Sequence, residues 1–194
     1  MKLKGLVKVR DGKYLKNYEL EYENKSGKIK KYEIASRSEI TSAAQLGEKV
    51  SGVSIVALWE DKLLLLKEFR MAVNRPIYNL CAGMIEAGEN IEECLRRELY
   101  EETGLCVEEI LTILPPSYAA VGISDVQTQI AIVKVKGELT DEFLSDNEEI
   151  EAGFYTKEEV KELLQREKFS SRAQVMAYFF SCNGLDNIPS IIKK

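Results

Sequence analysis

Alternating apolar and polar positions dominate the first part of the chain. Residues 3–9, 18–22 and 29–34 have strand-like alternation, and turn-forming residues separate them at 11–12 and 24–27. The pattern predicts a small antiparallel sheet over residues 1 to about 36. A sheet of so few strands buries little apolar surface. It therefore packs on the main domain or on a second subunit; the alternative is that it is a decorative extension.

Longer apolar runs begin at residue 50. Residues 50–59 and 62–69 flank a polar Glu60-Asp61 pair and predict a buried hairpin, and residues 77–81 predict a further short strand. Downstream, residues 106–114 and 127–136 are also strand-like. The segment between them, 115–125, is rich in Pro, Gly and Ser, which is typical of a functional or mobile loop.

Helical periodicity is clearest over residues 91–103. Asn90 is a suitable N-cap, Glu93 completes a capping box, and Gly104 is a natural left-handed terminator. An apolar stripe with spacings of three and four predicts the core-facing side of this helix. The stripe consists of Ile91, Cys94, Leu95 and Leu99.

Two more helices are predicted near the C-terminal end. Residues 156–159 and 171–174 both fit capping boxes. The apolar residues after each box predict the buried faces, and the aromatic stripe of the last helix is most simply core. These faces are Val160, Leu163 and Leu164, and then Val175, Tyr178 and Phe179.

The polar side of the first predicted helix carries an electrostatic conflict. Glu98, Glu101 and Glu102 lie at positions i, i+3 and i+4, so their like charges repel one another. Arg97 can neutralise one of them but not all three. Either the three form a solvated helix face, or they hold a hard divalent cation, for which oxygen ligands favour Mg²⁺ or Mn²⁺ over Zn²⁺.

The spacing around this helix decides between the two interpretations. It is a complete match to the Nudix box, so the chain resembles the Nudix hydrolases. The resemblance implies an α+β fold, an α/β/α sandwich with a mixed sheet, preceded by the antiparallel β-extension. We therefore expect an extension over residues 1–43 and a Nudix hydrolase domain over 44–194. The matching positions are Gly83, Glu89, Arg97-Glu98-Leu99, Glu101-Glu102 and Gly104-Leu105.

The resemblance also implies roles for these residues. Glu98 and Glu102 are expected to bind Mg²⁺, which Mn²⁺ can replace, and the Ala82 carbonyl is a further expected ligand. Glu101 is either a third ligand or a base near the metal-bound water, and both alternatives remain open.

Two other residues of the box are expected to support the metal ligands. Glu89 and Arg97 resemble the residues that hold the helix glutamates in place, and Arg97 is counted among the catalytic residues. Gly83 lacks a side chain, which lets backbone oxygens approach the metal.

The whole layout is similar to that of ADP-ribose pyrophosphatases. The matching strand in that branch often ends in an arginine, here Arg70, which is either a phosphate contact or a surface residue. Tyr118 either stacks on a base or packs beneath its loop. The branch departs from this chain at Asn79, where a glutamate is common, at Cys81, where a proline is common, and at residues 120–122.

Residues 138–151 are strongly acidic. Taken alone, such a segment is a solvated loop. In ADP-ribose pyrophosphatases an acidic loop at this place supplies a further metal ligand and a general base. By that resemblance Glu148 and Glu149 are the candidates, Glu148 also as a metal ligand, and Asp146 is the third.

Composition narrows the function further. The chain has no histidine, which excludes Ser-His-Asp catalysis and His-ligated zinc. Its four cysteines show no CxxC spacing and are expected to be buried, reduced thiols. The net charge of −5 without a basic block argues against a nucleic-acid partner. With no signal-peptide pattern and no long apolar run, a cytoplasmic protein without a membrane partner is expected.

The leading hypothesis is a Mg²⁺-dependent hydrolase that cleaves the diphosphate bond of ADP-ribose or a related nucleoside diphosphate sugar. By resemblance it forms a homodimer through the N-terminal sheet. The alternatives are a hydrolase that removes damaged nucleoside triphosphates, and a non-catalytic Nudix module that senses a nucleotide. RNA decapping is disfavoured by the acidic charge balance.

Overall fold

The structure, a computed structural model, describes residues 1–185 and divides them into two compact units. The first unit contains residues 1–51 and 116–129, and the second contains the remaining described residues. Within the described chain there is no helix that is both long and apolar enough to span a membrane.

The first unit is built on a three-stranded antiparallel sheet. Its strands are β1 (Lys2–Asp11), β2 (Lys16–Glu23) and β3 (Ile29–Ser36), in the order β1-β2-β3. The predicted N-terminal sheet is therefore confirmed. Tyr18 lies at its centre with no exposed surface, and its hydroxyl accepts a hydrogen bond from the Ile40 amide at 2.8 Å. This tyrosine therefore joins the sheet to the segment that follows it.

The remaining strands follow in chain order. They are β4 (Val50–Trp59), β5 (Lys62–Arg70), β6 (Arg75–Asn79), β7 (Cys81–Met84), β8 (Cys106–Ile113), β9 (Ser117–Tyr118), β10 (Gln127–Lys136) and β11 (Ile150–Tyr155). The main path of the sheet is β11-β5-β4-β10-β8, while β6 pairs with β5 and β7 with β4. The predicted 50–69 hairpin is confirmed by the β4–β5 pairing, in which Leu58 lies opposite Leu63.

Three helices cover the two faces of this mixed sheet. They are α1 (Ile91–Thr103), α2 (Lys157–Arg166) and α3 (Ser171–Ser181). Alternation along β5 separates the two cores. Leu64 and Leu66 pack with residues of α1, whereas Leu63 and Leu65 pack with residues of α2 and α3. The α+β sandwich predicted for the main domain is confirmed.

The prediction for α3 is wrong in two respects. Its N-cap is Ser170, whose side chain accepts a hydrogen bond from the Ala173 amide, and Ser171 is already helical. Its predicted aromatic face is also exposed, because two alanines on the other side allow the closer approach to the sheet. Val175, Tyr178 and Phe179 are 52%, 60% and 51% exposed, whereas Ala173, Ala177 and Phe180 are buried.

Two further predictions need correction. All four cysteines are free, but only Cys81 and Cys94 are buried, while Cys106 and Cys182 are exposed. The short strand predicted over 77–81 is interrupted at Leu80, where the chain leaves β5 and joins β4. Strand β11 was not predicted, because it directly follows the acidic segment and lacks a clear alternation.

Candidate active site

Helix α1 begins and ends as the sequence predicts. The Asn90 side chain accepts hydrogen bonds from the Glu92 and Glu93 amides, at 2.9 and 3.0 Å, and the Glu93 carboxylate accepts one from the Asn90 amide at 2.8 Å. Gly104 ends the helix with φ +75°, a conformation that favours glycine. These contacts fix where every side chain of the helix points.

Arg97 connects four groups around the start of this helix. Its Nε and Nη2 atoms donate to the two oxygens of Glu89, at 2.8 and 2.9 Å, and Nη2 also donates to the Met84 carbonyl at 2.9 Å. Its Nη1 donates to Glu98 at 2.9 Å and to Glu101 at 3.0 Å. The hydrogen bonds from Arg97 lower the pKa of Glu89 to about 2. The arginine therefore holds the turn before the helix against the helix itself.

Glu102 lies against β7 on the more buried side of the same helix. Its carboxylate accepts a hydrogen bond from the Ala82 amide at 3.2 Å. Burial raises the pKa of Glu102 to about 8, and it also raises the pKa of Glu98. Two carboxylates one helical turn apart are thus partly desolvated, and Arg97 contacts one of them, Glu98.

Gly83 allows Glu98 to come this close to the sheet. In β7, Gly83 pairs with Val53 of β4, and a Cβ atom on Gly83 would overlap the Glu98 carboxyl group. Only a residue without a side chain therefore permits this carboxylate to lie against the β7 backbone. Gly83 is therefore the part of β7 on which the Glu98 carboxyl group lies.

The donor set fits a hard divalent cation. Glu98 and Glu102 provide carboxylate oxygens, and Gly83 lets Glu98 lie against the β7 backbone. Within residues 1–185, no three Asp, Glu or Cys side chains already converge as a metal cluster. Arg97 donates to both Glu98 and Glu101. The Ala82 carbonyl stays a predicted ligand. Glu101 is half exposed and bonded to Arg97, so it lies at the outer edge of the site.

Comparison with known proteins identifies the family at this point. The family model described as NUDIX domain matches residues 48–179. The chain belongs to the NUDIX family of hydrolases. Members of this family generally use divalent metal ions, in keeping with the donors on α1.

Two proteins named ADP-ribose pyrophosphatase are similar to this Nudix chain. It is 29% identical over 152 residues to an ADP-ribose pyrophosphatase of Saccharomyces cerevisiae, a match covering 73% of this chain and 63% of that protein. It thus spans less than two thirds of that relative. An ADP-ribose pyrophosphatase of Bacillus subtilis is 29% identical over 141 residues, with 69% of each chain covered.

A solved structure shares the fold. The crystal structure of an ADP compounds hydrolase superimposes with a TM-score of 0.70 at 20% identity, covering 96% of this chain and 95% of that one. At this identity the likeness concerns the fold.

The structure places Arg70 at the end of β5 within a polar network that sequence reasoning missed. Arg70 donates to Glu68, and the other oxygen of Glu68 accepts a hydrogen bond from the side-chain Nδ2 of Asn79 at 2.9 Å. The negative charge of Glu68 also contributes to the raised pKa of Glu102. Strand alternation was the available signal, because Glu68 shares the α1 face of β5 with Leu64 and Leu66.

The acidic-loop candidates lie in different positions. The Glu148 carboxylate accepts a hydrogen bond from the Ser145 amide at 3.0 Å and so closes a turn within the loop. The Glu149 carbonyl accepts one from the Phe69 amide at 3.0 Å, and Glu149 lines a cleft with Lys67 and Phe69. Asp146 is exposed. The roles of all three remain predictions.

The loop that contains these residues is attached to α1 at two points. The Thr140 amide donates to the Thr103 carbonyl at 3.0 Å, and the Phe143 ring stacks on Tyr100. Glu102 and Asp141 line a common cavity of about 450 Å³ between this helix and the loop. The acidic loop therefore borders Glu102.

Tyr118 belongs to the first unit. Its hydroxyl donates to the Gly47 carbonyl at 3.4 Å, and a Cβ on Gly47 would lie 2.7 Å from its ring. The ring is 53% exposed and lines an apolar cavity of about 500 Å³ together with Tyr22 and Tyr32. Tyr118 thus packs on Gly47 while keeping one side open, and its contact with substrate remains a prediction.

Proposed function

We propose that this Nudix chain is a Mg²⁺-dependent hydrolase that cleaves the diphosphate bond of ADP-ribose or a related nucleoside diphosphate sugar. The products are a nucleoside monophosphate and a sugar phosphate. The observation that carries the proposal is the pair Glu98 and Glu102, one turn apart on α1, with Glu98 against Gly83 and Glu102 bonded to the Ala82 amide of β7. The two relatives named ADP-ribose pyrophosphatase support the substrate class.

The residues of the chain divide the work of this reaction. When bound, the divalent cation supplies charge neutralisation for the diphosphate and a more acidic water. Glu98 and Glu102 hold it with their carboxylate oxygens, while Glu89 and Arg97 keep α1 in register with the preceding turn. Arg70 binds a phosphate oxygen. Water attacks one phosphorus, the bridging P–O bond breaks, and the water's proton passes to a carboxylate.

We propose that Glu148, rather than Glu149, accepts the proton of the attacking water. Glu149 lines its cleft with Lys67 and Phe69, and alternation along β5 puts both of these on the side of Leu63 and Leu65, away from α1. Glu148 lies in the loop that borders Glu102. Glu101 is the remaining alternative, because Arg97 holds it at the edge of the same site.

We further propose that the protein is a homodimer formed through the N-terminal sheet. Val7, Val9 and Ile29 are more than half exposed on this sheet, with values of 56%, 58% and 54%. A partner subunit that covers exposed apolar side chains removes them from water and so stabilises the dimer. Light scattering after gel filtration tests this: a monomer at micromolar concentration would contradict it, and Val7→Lys with Val9→Lys should shift a dimer to monomer.

A substrate panel tests the activity. Purified protein with Mg²⁺ is incubated with ADP-ribose, other nucleoside diphosphate sugars and nucleoside triphosphates, and the products are separated by chromatography. We expect AMP and ribose phosphate from ADP-ribose. Turnover restricted to triphosphates would favour the removal of damaged nucleotides, and tight binding without turnover in Mg²⁺ or Mn²⁺ would favour a sensor. Glu102→Gln is the negative control.

A further inference from the structure

Glu68 is the centre of a hydrogen-bonded chain that runs from helix α3 to the proposed phosphate contact. Its Oε1 accepts from Arg70, and its Oε2 accepts from the Asn79 Nδ2 at 2.9 Å. The Asn79 Oδ1 in turn accepts from the Ser170 hydroxyl at 2.7 Å. Ser170 is the N-cap of α3, so the chain ends on a helix terminus.

The donors and acceptors in this chain fit together in one way only. The Glu68 carboxylate can only accept, so Asn79 points its NH₂ group toward Glu68 and its oxygen toward Ser170, whose hydroxyl donates to it. A carboxylate in place of Asn79 would face Glu68 with like charge. The side chain of Glu68, which is 15% exposed, is therefore held in one orientation by Asn79, and Asn79 is held in turn by Ser170.

The side chain that this arrangement orders most is that of Arg70. Its side chain is 52% exposed at the end of β5, where a long arginine would otherwise sample many rotamers. One guanidinium nitrogen is held by Glu68, which leaves the other donors of the fork available for an anion.

We propose that Glu68 is a positioning residue that holds Arg70 ready for a substrate phosphate, with Asn79 and Ser170 setting its orientation. This inference rests on the proposed function for the identity of the substrate. It also accounts for the amide at position 79: the carboxylate stands on β5 at Glu68, and Asn79 is its hydrogen-bonding partner on β6.

Exchanging the two polar groups tests the idea. Glu68→Gln leaves two NH₂ groups facing each other, and Asn79→Asp, which has the shape of the original side chain, brings two carboxylates together. The double variant restores every hydrogen bond with the charge moved by one strand. We expect each single variant to raise the KM for ADP-ribose about tenfold with kcat within about twofold, the effect of losing one charge-assisted hydrogen bond, and the double variant to recover most of the loss.

A binding cycle separates this role from a structural one. The affinity for α,β-methylene-ADP with Mg²⁺ is measured by calorimetry for wild type, Glu68→Gln, Arg70→Ala and both together. If Glu68 acts through Arg70, the loss of binding free energy in the double variant is smaller than the sum of the losses in the two single variants. Glu109→Gln, which removes an exposed glutamate paired with Lys134 at 2.7 Å, is the matched control.

Each outcome decides a specific point. Wild-type affinity in Glu68→Gln or in Arg70→Ala, additive losses, or no recovery in the exchanged pair overturns the positioning role. If the wild-type protein hydrolyses no compound in the panel, the proposed function fails, while the binding cycle still decides the role of Glu68. Wild-type protein that hydrolyses ADP-ribose but does not bind α,β-methylene-ADP overturns the positioning role alone.

Discussion

The aromatic rings of Tyr100 and Phe143 stack with their centroids 4.6 Å apart and their planes inclined by 29°. Tyr100 belongs to α1, and Phe143 belongs to the acidic loop that contains Glu148. Both rings remain about 40% exposed, at 43% and 41%, so the pair adds little to the core. Its effect is to attach the loop to the helix that contains Glu98 and Glu102.

Removing this contact should loosen the loop. Stacked aromatic pairs contribute about 0.5–1.5 kcal/mol beyond their buried area, so Phe143→Ala should lower kcat about three- to tenfold while the melting temperature changes little. Hydrogen exchange over residues 138–149 should become faster. Phe143→Tyr keeps the stack and is the control. Unchanged exchange and unchanged kcat in Phe143→Ala would show that the loop is held elsewhere.

Glu102→Gln tests the metal site directly. The amide keeps the size of the side chain but loses the negative charge, so kcat should fall by at least about a hundredfold while the fold persists. Mg²⁺ should also cease to raise the melting temperature. Glu92→Gln, an exposed glutamate in the first turn of the same helix, is the control. Activity near that of wild type would remove Glu102 from the metal site.

The stability of the metal-free protein should depend on pH through the same residue. Burial raises the folded-state pKa of Glu102 to about 8, above the ordinary 4.5, so the folded state binds the proton more tightly. Stability should therefore fall as the pH rises from about 4.5 to about 8, and then level off for this group. In EDTA, Glu102→Gln should melt higher than wild type at pH 9 by at least about 2 °C, with a smaller difference at pH 5.

The stabilisation by Mg²⁺ should have the opposite dependence. Below about pH 8 the cation must displace the proton on Glu102, so binding should strengthen as the pH rises. Calorimetry at pH 6 and pH 8.5 in several buffers would measure the affinity and the proton release. Equal affinity and no proton release at pH 6 would contradict the raised pKa.

Gly83→Ala should displace Glu98 without unfolding the domain. The added methyl group overlaps the Glu98 carboxyl group, so either the side chain or β7 must move. We expect kcat to fall at least about tenfold, since a small misplacement of a ligand has large effects on rate. Gly122→Ala is the control, because a Cβ at Gly122 meets nothing within 4 Å. Comparable kcat in both variants would contradict the close approach of Glu98 to β7.

The sequence by itself determined α1, its caps and the relation between Glu98 and Glu102. These features are local: one helical turn separates the two carboxylates, and the capping residues lie within four positions of the groups they bind. The apolar alternation likewise predicted the N-terminal sheet and the β4–β5 hairpin. For each of these, the interacting residues are close neighbours in the chain.

Only the tertiary structure decided the rest of the site. The network of Glu68, Asn79 and Ser170 joins residues up to 91 positions apart, and its donors and acceptors are set by strand register and a helix cap. The buried face of α3 depended on which side chains were small enough to approach the sheet. The pairing of β11 with β5 places Glu149 beside Lys67 and Phe69. Sequence periodicity describes one element at a time, and packing between elements decides which polar groups meet.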